Sequence, residues 1–282
     1  MTAPEPDPVQ RTATLFDAVA DTYDQVGVDF FAPIAAGLVD ALDVRPGGRV
    51  VDLGCGRGAA LLRLADVVGP DGLAVGGDVS PRMVQACRDL ARSQGLEQVQ
   101  VEVLDATDPL AGRPHWEGAF GTVSASLVLF FLPDPATALG RWVPLLHPGG
   151  VLGVSTFAEQ DPRWAAVDAV FLPHLPPAML DARTSGAAGP FAADAGVAGL
   201  FAGAGLGDVR TTHLRVEVRF EGPEHWQRFS MSVGQRAMWG AVPEADRPAV
   251  RDAAFALLRD AADPDGSITV WQDVRLTRGT LP

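Results

Sequence analysis

The chain contains no lysine: all 22 basic residues among its 282 are arginine. That excludes a Schiff-base lysine and the phosphate-gripping lysine of a nucleotide-binding P-loop. Cysteine is nearly absent, with Cys55 in a glycine-rich turn and Cys87 in a predicted helix, so no disulfide framework is expected. No apolar run approaches the about 20 residues of a membrane-spanning helix. Residues Met1 to Arg11 are polar and proline-rich rather than basic and then apolar, so no signal peptide is read and a cytoplasmic location is expected. Positive charge is scarce against 35 acidic residues, and the net charge of −13 disfavours nucleic acid and anionic membrane as partners.

What the chain does have is apolar bulk, at 47% hydrophobic residues and a mean hydropathy of +0.13, enough for one large α/β domain with a sizeable insertion. Its most specific stretch is Val50-Val51-Asp52-Leu53-Gly54-Cys55-Gly56-Arg57-Gly58, followed by the apolar-periodic Ala60, Leu61, Leu62, Leu64 and Ala65. This reads as strand, glycine turn and helix. Glycines let the backbone approach a ligand closely, and the helix N-terminus that follows favours negative charge.

Gly54, Gly56 and Ala59 also satisfy a dinucleotide fingerprint, with Asp78 placed to take ribose hydroxyls. Asp52 decides between ligands. A carboxylate here would repel a pyrophosphate but suits a ligand with an ammonium beside a carboxylate, such as S-adenosylmethionine (SAM) with its amino-acid head, ribose and adenine.

The stretch from Val50 to Gly58 resembles motif I of the class I, Rossmann-like SAM-dependent methyltransferases. The resemblance implies an α/β fold with a seven-stranded, mostly parallel sheet flanked by helices. The strands are read at Arg49–Leu53, Leu73–Asp78, Gln98–Leu104, Phe120–Ser126, Val151–Thr156, Asp208–Phe220 and Ser267–Thr277. Gly54, Cys55, Gly56 and Gly58 form the cofactor turn with Asp52. Asp78, ending the second strand, becomes the ribose ligand, with Val79 beside it and Met83 against the cofactor. Asp105 takes the position that holds the adenine amine, supported by Ala106. The segment Phe16 to Asp24 is similar to the family's N-terminal segment, which makes Tyr23 a lid over SAM; packing at the core edge is the alternative. Ser124 lines the crevice by its place near a strand end.

The family's fourth motif is recognisable in Leu127 to Pro135, but Leu129, Phe130 and Phe131 stand where many relatives carry a histidine or acid. No general base is evident there. His147 is expected at a helix C-terminus, without a catalytic role. The expected organisation is residues 1–44 as N-terminal helices and lid and 45–157 as the SAM-binding core. A cap insertion follows at 158–189, the core continues at 190–221, cap helices occupy 222–264, and the last strand and tail are 265–282. The cap is rich in aromatic and thioether side chains, including Trp164, Phe171, Trp226, Phe229 and Trp239, and an apolar roofed pocket follows from it. The small-residue stretch Ser185 to Gly189 and the turn Leu172 to Pro177 interrupt it.

The sulfonium methyl of SAM is already activated, so such a protein mainly aligns a nucleophile and excludes water. His174 and His225 are the cap histidines available as a base for a hydroxyl. A carboxylate acceptor would need only a cation such as Arg228 or Arg236, with Phe130 and Trp226 as apolar walls. The expected function is methyl transfer, O-methylation first, to a small, largely apolar acceptor in secondary metabolism by a monomer or homodimer that needs no metal. A SAM-binding cyclase or binding protein that no longer methylates is the alternative. An NAD-dependent oxidoreductase is disfavoured by Asp52 and by the missing Tyr/Lys pair.

Overall fold

A computed structural model describes residues 7–176 and 189–282. At its centre is β1 (Arg49–Leu53), whose Val50 to Leu53 are all buried, the pattern of a parallel strand covered on both faces. Strands β2 (Leu73–Asp78), β3 (Val99–Val103), β4 (Phe120–Ser126) and β5 (Leu146–Gln160) run parallel to it. The chain returns through β6 (Gly207–Phe220) and β7 (Ile268–Thr280), with β7 antiparallel to both β5 and β6. The order β3-β2-β1-β4-β5-β7-β6 completes the expected seven-stranded, mostly parallel sheet. Successive strands move outward from β1 to β3, and then the chain crosses back to β4. That reversal opens a crevice at the C-terminal ends of β1 and β4.

Helices α1 (Pro8–Val19) and α2 (Phe31–Ala41) precede the sheet, and α3 (Leu61–Val68), α4 (Pro81–Ser93), α5 (Pro135–Trp142) and α7 (Asp194–Gly203) cover it. Local chemistry starts several of them. Ser80 Oγ accepts from the Met83 N–H at 3.1 Å ahead of Pro81, and Asp134 Oδ1 accepts from the Thr137 N–H at 3.1 Å ahead of Pro135. One sheet face buries Ile34, Leu38, Leu61 and Leu64, and the other buries Phe120, Leu139, Trp142 and Phe201.

The helical layer beyond the sheet consists of α6 (Pro162–Ala169), α8 (Pro223–Ser232), α9 (Arg236–Ala241) and α10 (Arg247–Asp260). Aromatic packing holds it, with Phe171 and Trp226 at 4.8 and 6.1 Å from Trp239. Each such ring buried from water contributes about 1.5–3 kcal/mol. The stretch Ser185 to Ala188, like Pro177, lies outside the described residues. Among the described residues no helix is long and apolar enough to cross a membrane.

Several element boundaries differ from the sequence expectation: β5 extends well beyond Val151–Thr156 and β7 runs on past Thr277, and two helices end early. The helix expected to reach Leu146 stops at Trp142, because Pro144 cannot continue its hydrogen-bond ladder, and β5 begins at Leu146. His147 therefore lies in a strand, with Nδ1 2.8 Å from the Pro148 carbonyl, and not at a helix end. The helix expected over Pro162 to Leu175 ends at Ala169, with Pro173 in a separate short turn, Leu172–His174.

Candidate functional site

The β1 turn is shaped by two glycines with different duties. Gly54 has φ +68°, and a Cβ there would sit 2.4 Å from Val128 Cγ2, so the backbone must be bare for the β4 loop to pack on it. Gly56 has φ +52°, and a Cβ there would meet nothing within 4 Å, so the turn faces open space at that point. The N–H groups of Gly54 and Cys55 donate to the Gly77 carbonyl at 2.7 and 3.0 Å. Asp78 then pins the turn to the start of α4: Oδ2 accepts from the Gly56 N–H at 2.9 Å and Oδ1 from the Ser80 N–H at 2.8 Å. Burial pushes the Asp78 carboxyl above its usual range, opposed by those two bonds.

Beneath the turn, Asp52 and Ser124 are register partners on β1 and β4 and are 1% and 0% exposed. Among the described residues Asp52 Oδ1 and Ser124 Oγ have no hydrogen-bond partner. Burial pushes the Asp52 carboxyl up to about 7, with the Ser124 hydroxyl and the Leu61 N–H acting in the other direction and Asp78 raising it further. Orphaned buried oxygens ask for a donor-bearing partner. With the open cradle at Gly56, they fit a ligand that carries hydroxyls and a positive charge, as SAM does.

The N-terminal segment is bound over this turn by contacts that the sequence did not signal. Arg57 Nη1 donates to the Ala20 carbonyl at 2.6 Å, and Asp17 Oδ1 accepts from Ser80 Oγ and from the Arg82 N–H at the start of α4. Tyr23 is half-buried and stacks on Phe31 at 4.7 Å; its phenol is pushed far up by burial and by the neighbouring charges of Asp24 and Asp78. Asp24, with φ +56°, is itself raised to about 6 by burial and by Asp29, with Arg57 acting in the other direction.

Tyr23 is one of seven rings that form a closed cycle of neighbours. Phe31 meets Phe30 at 5.1 Å, Phe30 meets Phe157 at 6.3 Å, and Phe157 meets Phe130 at 5.2 Å. Phe130 meets Phe131 at 4.8 Å, Phe131 meets Phe16 at 5.5 Å, and Phe16 meets Tyr23 at 6.1 Å. This aromatic collar joins the N-terminal segment, the entry to α2 and the ends of β4 and β5. Leu127, just past β4, adopts φ +57° and donates to Ser155 Oγ at 3.0 Å, which re-aims the chain into the turn Leu129–Phe131. Two surface concavities among the described residues, of about 510 and 450 Å³, lie at the β3 edge and beside Arg275, away from this crevice.

Several expected site residues are placed elsewhere. The Cys55 side chain turns beneath the loop, where a Cβ on Gly76 would be 3.0 Å from its Sγ, so only its backbone belongs to the turn. Met83 is buried against Val19 and Ala20 of the N-terminal segment. Trp226 is 0% exposed inside the helical layer, against Trp239, and forms no apolar wall of the crevice. Arg228 is exposed on the side of α8 opposite the buried Trp226, Phe229 and Ser230. His174 stands 4.0 Å from Asp246, at the α10 end of the layer. Asp105 is half-buried and accepts from the Thr107 N–H at 2.8 Å, while Ala106 is buried and Val79 half-buried at their strand ends. Arg236 is half-buried and its guanidinium has no partner among the described residues; two positions earlier, a Cβ on Gly234 would be 3.2 Å from the collar ring Phe131.

His225 is not a free base either. Its Nδ1 accepts from the Glu221 N–H at 3.1 Å, so the proton sits on Nε2, which donates to the Val26 carbonyl at 2.7 Å. The ring staples α8 to the chain just after Tyr23. His225→Ala leaves two backbone groups unpaired and should lower unfolding stability by about 1–3 kcal/mol in urea titration, whereas loss of a base would leave stability untouched.

Residues 45–180 match a family model described as a methyltransferase domain. The chain is 35% identical over 279 residues to nocamycin O-methyltransferase from Saccharothrix syringae, covering 95% of this chain and 97% of that one. It is 36% identical over 172 residues to aklanonic acid methyltransferase DauC from Streptomyces sp. (strain C5), 61% of this chain and 76% of that one. Among solved structures, the YcgJ protein from Bacillus subtilis superposes with a TM-score of 0.58 at 14% identity, over 88% of this chain and 97% of that one, a likeness of fold. With the glycine turn, the acidic strand ends and the strand order, these likenesses identify the chain as a member of the class I SAM-dependent methyltransferases.

Proposed function

We propose that the chain transfers a methyl group from SAM to an oxygen of a small, largely apolar acceptor in secondary metabolism. The observation that carries this reading is the aromatic collar beside the glycine turn. When bound, SAM supplies a methyl already activated by its sulfonium. Asp78 would take the ribose hydroxyls, the Gly54 to Gly58 backbone with Asp52 and Ser124 the amino-acid head, and Asp105 with Ala106 the adenine. Tyr23 would close over the bound cofactor. The collar would hold the acceptor in line and exclude water.

With both cap histidines engaged elsewhere, an acceptor already acidic, a carboxylic acid or an enol, suits this chain better than an alcohol that needs a base. Arg236, half-buried two residues past Gly234, would be the cation that orients it. The names of the relatives point the same way, since nocamycin O-methyltransferase transfers to oxygen and aklanonic acid is an acid by name. Residues 158–189 and 222–264 would form the cap over a core of 45–157 and 190–221. A cytoplasmic monomer or homodimer without nucleic-acid or membrane partners fits the net charge of −13.

Release of S-adenosylhomocysteine, measured with a panel of small phenols, enols and carboxylic acids, tests the reading; no release from any of them would sink it. Arg236→Gln should raise KM for the anionic acceptors about tenfold with little change in kcat, the effect of removing one charge-assisted hydrogen bond.

A further inference from the structure

We propose that the indole N–H of Trp164 is the donor by which the enzyme recognises its acceptor, and that the acceptor is a flat conjugated ring bearing a hydrogen-bond-accepting oxygen away from the reacting one. The proposal rests on the methyl-transfer reading and adds the class of acceptor to it.

Trp164, on α6, is 7% exposed, and its Nε1 is buried with no hydrogen-bond partner among the described residues. Two other buried indoles in the same fold are satisfied: Trp142 donates to the Ala106 carbonyl at 2.7 Å and Trp239 to Ser230 Oγ at 2.9 Å. A buried donor left unpaired carries the desolvation cost of an unmade hydrogen bond, so its position calls for a ligand.

Trp226 Nε1 is also unpaired, but that ring packs against Trp239 within the helical layer. Trp164 is placed differently. Its ring lies 6.1 Å from Phe30, a member of the collar, and 6.4 Å from Phe229, which itself lies 5.7 Å from Phe30. These three rings make a second tier behind the collar, with Phe30 shared by both. An acceptor whose reacting end is held in the collar would extend past Phe30 toward Trp164.

The chemistry of the walls narrows what can lie there. Aromatic faces favour a flat ring in offset-stacked or edge-on contact. Arg163, next to Trp164 in the chain, is committed to Asp161 and to the Thr269 carbonyl at 2.7 Å, and His225, beside Phe220, is engaged at both nitrogens, so neither competes with the indole as a donor. An N–H set on the face of Phe220, whose plane is 89° to the indole, would satisfy it only weakly. A carbonyl, carboxylate or enol oxygen completes it.

The test is equilibrium binding, without transfer, of 1-hydroxy-2-naphthoate and of naphthalene to the SAM-loaded protein. Wild type should bind the oxygenated ring more tightly than the bare one. Trp164→Phe keeps a ring and removes the N–H; it should weaken hydroxynaphthoate about tenfold and leave naphthalene and SAM unchanged. Trp226→Phe, which removes an equally unpaired N–H away from the collar, should change neither ligand. The proposal is overturned if Trp164→Phe binds hydroxynaphthoate as wild type does, if it loses both ligands equally, or if wild type fails to bind hydroxynaphthoate at millimolar concentration. Because no methyl moves in these titrations, failure of the methyl-transfer reading shows separately, as SAM bound but never converted to S-adenosylhomocysteine.

Discussion

Calorimetric titration of SAM into Asp78→Ala should show binding weakened at least about a hundredfold, with NADH silent in both proteins. Asp78 does two things at once: its carboxylate holds the Gly56 N–H at 2.9 Å and the Ser80 N–H at 2.8 Å, and each oxygen keeps a lone pair for a ligand hydroxyl. Alanine removes the ribose contacts and frees the turn that shapes the rest of the site. Two charge-assisted bonds at about 1.5 kcal/mol or more each already reach two orders of magnitude. Asparagine is no rescue. Its amide nitrogen would point a donor at one of two backbone donors, so Asp78→Asn should bind only slightly better than alanine. A variant without the carboxylate that binds SAM within threefold of wild type would remove Asp78 from the site.

The fold was legible because its signals are local. Val50, Val51 and Leu53 supply apolar side chains to both faces of the strand, Ser80-Pro81 caps and starts a helix, and Gly54-Cys55-Gly56 breaks the strand into a turn; these place β1, α4 and the crevice between them. The errors at Leu146 and Leu175 come from proline, which periodicity alone passes over. The sequence signals at the site are local ones, the glycine turn and the acids Asp52 and Asp78 at the ends of β1 and β2. Arg57 to Ala20, His225 to Val26 and Gly234 against Phe131 each join segments far apart in the chain, and no spacing rule encodes such a meeting. His225 looked like a base because imidazole is the usual one. Its role was set by two backbone groups 4 and 199 residues away in the chain. The collar was similarly hidden: Phe30 and Phe157 are far apart in the chain and belong to no motif, and only the packing of the α2 entry against β5 brings them to within 6.3 Å.

Acidity is the second large lever, through Asp52. Its carboxyl is pushed up to about 7 in the folded protein, against about 3.9 in an unfolded chain. Between about pH 4 and pH 7 the folded protein therefore retains a proton that the unfolded chain has released. Stability without ligand should fall as pH rises through that window, by at most about 4 kcal/mol from this group, and Asp52→Asn should remove that slope. SAM reverses the preference, because a cation beside Asp52 favours the carboxylate. Binding near pH 6 should expel a proton, countable by calorimetry in buffers of different ionisation enthalpy, and affinity should rise about tenfold from pH 5.5 to 7.5. Asp52→Asn should bind with no proton release and no pH dependence. Were the release to persist in that variant, the proton would come from Asp24, the other acid in the lid region that is raised, to about 6. Asp24→Asn would then abolish it, and the ammonium of SAM would be held by the N-terminal lid rather than by the floor of the glycine turn.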